Sequence, residues 1–253
     1  MKNTPDIREL LREWPYDPEK CVRIIEGDDS REVLQVRTPV GIEQFELEGR
    51  PDGLRPHNKE SAFDFYLGRH ERAKAAGEEE AFHLNHTECA ELFEEGVLYY
   101  FRYLHLFQLE DWTRTARDTN RNLRLFDFVR KYAHRKEDRM HLEQWRPYIL
   151  RINAISRAMV EVQEHAHERA LHILRDAIEK IAVLDEVDNQ TFHVERDRSM
   201  QALRETLEQI EKAKPLTELE ALEKKLREAV EAQEFERAAD LRDQIRAVRV
   251  RVK

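Results

Sequence analysis

Apolar residues along this chain follow two periods. Between Val22 and Glu48 they alternate, imperfectly, in three short runs, Val22–Glu26, Val33–Arg37 and Ile42–Glu48, separated by Gly27-Asp28-Asp29-Ser30 and Thr38-Pro39-Val40-Gly41. Alternation bounded by turn residues predicts a three-stranded antiparallel β-meander with one face packed on a helix and the other wet. Before it, Ile7, Leu10, Leu11 and Trp14 fall at helical spacing behind Thr4-Pro5-Asp6, which predicts a short opening helix ending near Trp14-Pro15. After it, Gly49-Arg50-Pro51-Asp52-Gly53 predicts a turn whose glycines take positive φ.

Beyond Asn58 the period becomes 3.6, and helices are expected over about 59–75, 87–109, 111–133, 138–163, 166–185 and 193–213, with a break at Pro147. The stretch from Val97 to Phe107 is apolar nearly all round, which predicts that its helix is the central one. Ala158, Ala170 and Ala177 lie where two neighbouring helices would meet. Their spacing resembles the small-residue positions of a tetratricopeptide helix hairpin, although the turn at Glu164-His165 lacks glycine and no closing proline follows. An ordinary α-hairpin bundle explains the same pattern.

A separate unit is expected from residue 215. Lys214-Pro215-Leu216-Thr217 reads as a linker running into a capping box, Thr217 with Glu220. Leu219, Leu222, Leu226 and Val230 form one helical stripe, and Phe235, Ala238, Leu241, Ile245 and Val248 form a second, with Gln233-Glu234 between them. Two amphipathic helices joined this tightly make an antiparallel hairpin. A hairpin so small buries little alone, so its stripe should pair with another hairpin or with the rest of the chain.

The run from Leu219 to Arg246, and above all its core Phe235-Glu236-Arg237-Ala238-Ala239-Asp240-Leu241-Arg242-Asp243-Gln244-Ile245, resembles the UVR motif. That motif occurs at the end of the excision-repair proteins UvrB and UvrC, and in Clp-type ATPases and their zinc-finger activators. The resemblance implies an interaction hairpin that self-associates or pairs with the corresponding hairpin of a partner. By the same resemblance Phe235 would seat the turn, Ala238 and Ala239 would allow close helix approach, and Leu241 and Ile245 would be the apolar contacts. Glu236, Arg237, Arg242 and Asp243 would form a polar rim or merely solvate the outer face. The segment from Gly49 to His57 is similar to bacterial proteins of otherwise undefined role that carry a UVR tail.

Composition narrows the function classes. The chain has 253 residues, with 40% hydrophobic and 38% charged residues and a mean hydropathy of −0.79, which suits helices with one wet face. No apolar run approaches the roughly 20 residues a membrane span needs, and two cysteines far apart behind an N-terminus without an apolar signal segment point to a reducing cytoplasm. Net charge is −9, and the stretch after Phe192 is balanced, so the acidic excess lies before it and direct nucleic-acid binding gains no support from bulk charge. No Gly-x-x-x-x-Gly-Lys-Ser/Thr, CxxC, HExxH or Gly-x-Ser-x-Gly occurs, so the helicase body, zinc-finger and hydrolase readings lack their motifs.

Three clusters carry candidate chemistry. His83, His86, Glu88 and Cys89 are metal-ligating types in one short stretch, but at no standard spacing, and a polar loop with Thr87 capping the next helix explains them as well. His165, His167 and His172 flank a turn, where solvation suffices. Arg114, Arg117, Arg121, Arg124 and Arg130, with Lys131, form a basic series that could take phosphate or an acidic partner, or simply face solvent beside Asp118 and Asp127.

The sequence therefore predicts a mainly α protein in three parts: 1–57 with a helix and a β-meander, 58–214 as a tetratricopeptide-like helical domain, and 215–253 as the UVR hairpin. The expected function is non-enzymatic protein–protein interaction, as an adaptor or regulator, without catalytic, metal or cofactor-binding residues. Partner contacts are assigned to Leu219, Leu222, Leu226, Val230, Phe235, Arg237, Ala238, Ala239, Leu241, Arg242 and Ile245. The expected partner is a protein, UvrB/UvrC-like or a Clp-type ATPase, with a homodimer open and a membrane excluded. Alternatives are an accessory role in excision repair, regulation of Clp-type proteolysis, and a metal-dependent enzyme centred on His83, His86 and Cys89.

Overall fold

The structure is a computed structural model describing residues 6–27, 29–215 and 218–251, without the side chains of 218–220 and 249–251. It divides into two compact units, Met1–Glu208 and Gln209–Lys253.

The first unit opens with α1 (Arg8–Glu13), followed by β1 (Val22–Glu26), β2 (Glu32–Thr38) and β3 (Gly41–Glu46) in one antiparallel sheet of order β1-β2-β3. The register pairs Ile24 with Leu34 and Leu34 with Phe45, which lines the apolar residues up on one face. The expected meander is present, and Thr4-Pro5 lies outside the described residues. The turn after β3 has Gly49 at φ 65° and Gly53 at φ 71°, the left-handed region that favours glycine.

Helices then follow: α2 (Ala62–Ala75), α3 (His86–Gln108), α4 (Trp112–Tyr132), α5 (Lys136–His141), α6 (Arg146–Gln163), α7 (His167–Ala182) and α8 (Gln190–Ala213). The break at Pro147 is real: α5 and a 3-10 turn precede it, and Pro147 sits in the first turn of α6, where its missing N–H costs nothing. The inner helix is α4, which packs against α3, α5 and α6, while α7 packs on α6. This corrects the expectation for Val97–Phe107, because Val97, Phe101 and Leu104 on α3 remain exposed. The apolar pattern does not mark α4 as the inner helix because its buried face is partly polar. Thr115 and Thr119 donate to the carbonyls of Asp111 and Thr115, and Asn122 donates to the Gly96 carbonyl at 2.9 Å, so each polar group is satisfied internally.

Buried ion pairs join the sheet to these helices, which is why residues 1–57 share a compact unit with the helices. Arg102 on α3 donates to Asp118 through Nε at 2.6 Å and Nη2 at 2.9 Å. Its Nη1 donates to the carbonyls of Glu46, the last residue of β3, and of Gly49 in the following turn, at 2.7 and 2.9 Å. Glu95, fully buried, accepts from the backbone N–H groups of Ala62 and Phe63 at the start of α2 and pairs with Arg50 and Arg121. Leu106 of α3 completes an apolar cluster with Leu34, Val36, Phe45 and Leu47.

The second unit holds the end of α8 from Gln209 and an α-hairpin of α9 (Glu218–Glu231) and α10 (Phe235–Arg251).

Candidate interaction hairpin

Three residues separate α9 from α10. Gln233 takes φ 58°, the Gln233 N–H donates to the Val230 carbonyl at 3.1 Å and the Glu234 N–H to the Ala229 carbonyl at 2.8 Å, closing the end of α9 with a left-handed residue at its C-terminus. The chain thus reverses at once and the helices run antiparallel. Their seam is Ala229, Ala238 and Leu241, with Leu222 and Leu226 half-buried against them, while Ile245 and Val248 are buried farther along α10.

The structure separates the sequence-assigned residues by position. Leu222, Leu226, Ala238, Leu241 and Ile245 face inward; Arg237, Ala239 and Arg242 are exposed; the side chain of Leu219 and the capping box of Thr217 and Glu220 lie outside the described residues. Val230 is 44% exposed and Phe235 70% exposed. Neither belongs to the hairpin's own seam. The stripe on α9 steps by four and then three, through Leu222 and Leu226 to Ala229, which the sequence reading missed because Val230 is the more apolar neighbour. Phe235 does not seat the turn; the backbone bonds at Gln233 and Glu234 do. Close approach rests on Ala229 and Ala238, not on Ala239.

Two exposed apolar side chains therefore flank the turn, within a rim carrying the Arg237–Glu234 pair at 2.8 Å. Such exposed pairs add little stability.

The other candidate clusters resolve into structural roles. Cys89 is fully buried, and burial, followed by Asp138 and Glu88, pushes its thiol up to about 12. His86 Nδ1 lies 2.9 Å from Asp138, His83 Nδ1 faces the Ala81 carbonyl, and the following helix is capped by Asn85 in a capping box with Glu88, not by Thr87. Among the described residues no three His, Cys, Asp or Glu side chains gather as a metal site would require. The arginines of α4 turn toward the sheet and core: Arg114 to Asp111 and Glu32, Arg117 to Asp118, Glu48 and the Leu47 carbonyl, Arg121 to Glu95 and Arg124 over the Phe63 ring. Arg114, Arg117 and Arg121 thus tie α4 to neighbouring segments, whereas Arg124 is exposed and Arg130 pairs with Asp185 at the surface. Ala158, Ala170 and Ala177 are buried in the α6–α7 pair, and His165 takes φ 60° at its turn.

Residues 217–250 match the family model described as the UvrB/uvrC motif, UVR. The match covers the hairpin, so the chain is one that carries a UVR hairpin behind a larger body. No curated protein and no solved structure matches the chain.

Proposed function

We propose that this protein is a non-enzymatic adaptor or regulator of a bacterial cytoplasm that captures a protein partner through residues 216–249. The carrying observation is the pair of exposed apolar residues, Val230 and Phe235, on a hairpin that matches the UVR motif. A large aromatic side chain presented to solvent beside a tight turn is the kind of anchor that dominates protein interfaces. The inward residues Leu222, Leu226, Ala238, Leu241 and Ile245 hold the helices in register, and Arg237 and Arg242 supply the charged rim. The α6–α7 pair, similar in alanine spacing to tetratricopeptide hairpins, offers the body a second platform.

The test compares the full chain with Val230→Ser/Phe235→Ser in capture from native lysate. Loss of a specific protein with the variant supports the reading. Recovery of a UvrB- or UvrC-like protein would place it beside excision repair, a Clp-type ATPase beside proteolysis, and a second copy alone would make the hairpin a homodimer clasp. Equal capture by both forms would contradict it.

A further inference from the structure

Gly96 lies in the middle of α3, where glycine costs helix stability, and it is buried. Nonetheless a Cβ built there meets no heavy atom within 4 Å. Packing inside the molecule therefore does not demand the glycine, since an alanine would fit and stabilise the helix. The room above it is the floor of a cleft of about 350 Å³ within the first unit, the lower end of the range for small-molecule sites. Its walls are aromatic: Phe93, Tyr100 and Phe101 from α3 face Trp145 and Tyr148 at the start of α6, with Trp145 and Phe101 exposed at the rim.

Among the described residues one charged residue lines the cleft, Glu195 of α8, and no basic residue does. Its Oε1 accepts from Arg198 at 3.3 Å, and its Oε2 is ion-paired with Arg151 at 4.0 Å, a separation too long for a hydrogen bond, so that oxygen keeps room for a further donor. Arg151 already rests over the Tyr148 ring at 5.0 Å, which shows a cation seated on an aromatic face at this wall. Aromatic faces are negative at their centres and attract organic cations.

We propose that this cleft binds a small organic cation, an apolar body ending in an ammonium or quaternary ammonium group, with the body over Gly96 and the charge toward Glu195. This is independent of the hairpin reading, because every residue involved belongs to the first unit.

The test titrates the full chain with 2-phenylethylamine, 2-phenylethanol and phenylacetate at pH 7, followed by calorimetry and backbone amide shifts. The proposal predicts saturable amine binding about tenfold tighter than the alcohol, with the carboxylate weakest, and shifts centred on residues 93–101 and 145–149. Gly96→Leu fills the floor and should abolish binding. Should that variant fold poorly by circular dichroism, Gly96→Ala, which meets no neighbour, should fold at least as well as the parent and weaken binding. Glu195→Gln should bring the amine down to the alcohol. Absence of saturable binding, equal binding of the carboxylate, or amine binding unaffected by Gly96→Ala and Glu195→Gln would overturn the proposal.

Discussion

Replacing Arg102 with methionine tests how the β-meander is fastened to the helices. Methionine keeps most of the volume and removes the charge. Asp118, 1% exposed, then loses two hydrogen bonds of 2.6 and 2.9 Å, and the Glu46 and Gly49 carbonyls lose theirs of 2.7 and 2.9 Å. Breaking a buried ion pair by removing one partner costs about 3–5 kcal/mol. Arg117 still donates to Asp118 at 3.0 Å and Tyr99 Oη to Gly49 at 3.2 Å, so the loss belongs near the bottom of that range, about 3 kcal/mol. The chain's three tryptophans, Trp14, Trp112 and Trp145, all lie in the first unit, so tryptophan fluorescence during urea unfolding reads that unit alone. With a slope of about 2–3 kcal/mol/M, the midpoint should fall by about 1 M. Arg124→Met, which removes one contact with the Phe63 ring at 5.9 Å, serves as control and should cost under about 0.5 kcal/mol. A midpoint for Arg102→Met within error of the control would refute the argument that this pair anchors the sheet.

Cys89 should resist a thiol reagent at pH 8 in the folded protein while the half-buried Cys21 reacts, with both reacting in urea. Because folding raises the Cys89 thiol from about 9 to about 12, the unfolded chain sheds that proton first, and the Cys89 contribution to stability should be lost as pH rises from 9 to 12; a Cys89→Ala variant with the same alkaline decline would contradict this. At the α6–α7 turn, His165 adopts φ 60° and its N–H donates to the Val162 carbonyl at 3.0 Å, so His165→Gly should relieve the left-handed strain and raise stability by about 0.5–1 kcal/mol in the same unfolding assay. A loss of stability there would show that the imidazole holds the turn.

Much of this architecture was legible because simple periods carried it. The three strands, the turn of Gly49 and Gly53, the break at Pro147 and the terminal hairpin all follow from alternation, helical spacing, glycine and proline. What escaped the reading was polar. Glu95, Arg102, Asp118 and Arg121 look like surface residues in a chain rich in charge, and only the fold shows the first three buried, Arg121 partly so, and all of them paired with one another or with backbone groups. Counting apolar residues accordingly chose α3 as the centre, where α4 lies. At the hairpin, composition favoured Val230 and Phe235 as seam residues because they are large and apolar. The seam took Ala229 instead, since helix geometry decides which position faces the partner helix and a small residue there lets the backbones approach. The basic series of α4 is hard to read for a related reason: beside near neighbours such as Asp111 and Asp118, its partners include Glu32, Glu48 and Glu95, far away in sequence.

The most direct test of the central claim is quantitative capture of one identified partner by the full chain and by Val230→Ser/Phe235→Ser, with tryptophan fluorescence confirming that the first unit is unchanged. The account predicts that the substituted protein keeps its fold and loses partner binding by at least about tenfold, as expected when central anchors are removed. Undiminished binding by the substituted protein would contradict the claim and move the interface away from the hairpin tip.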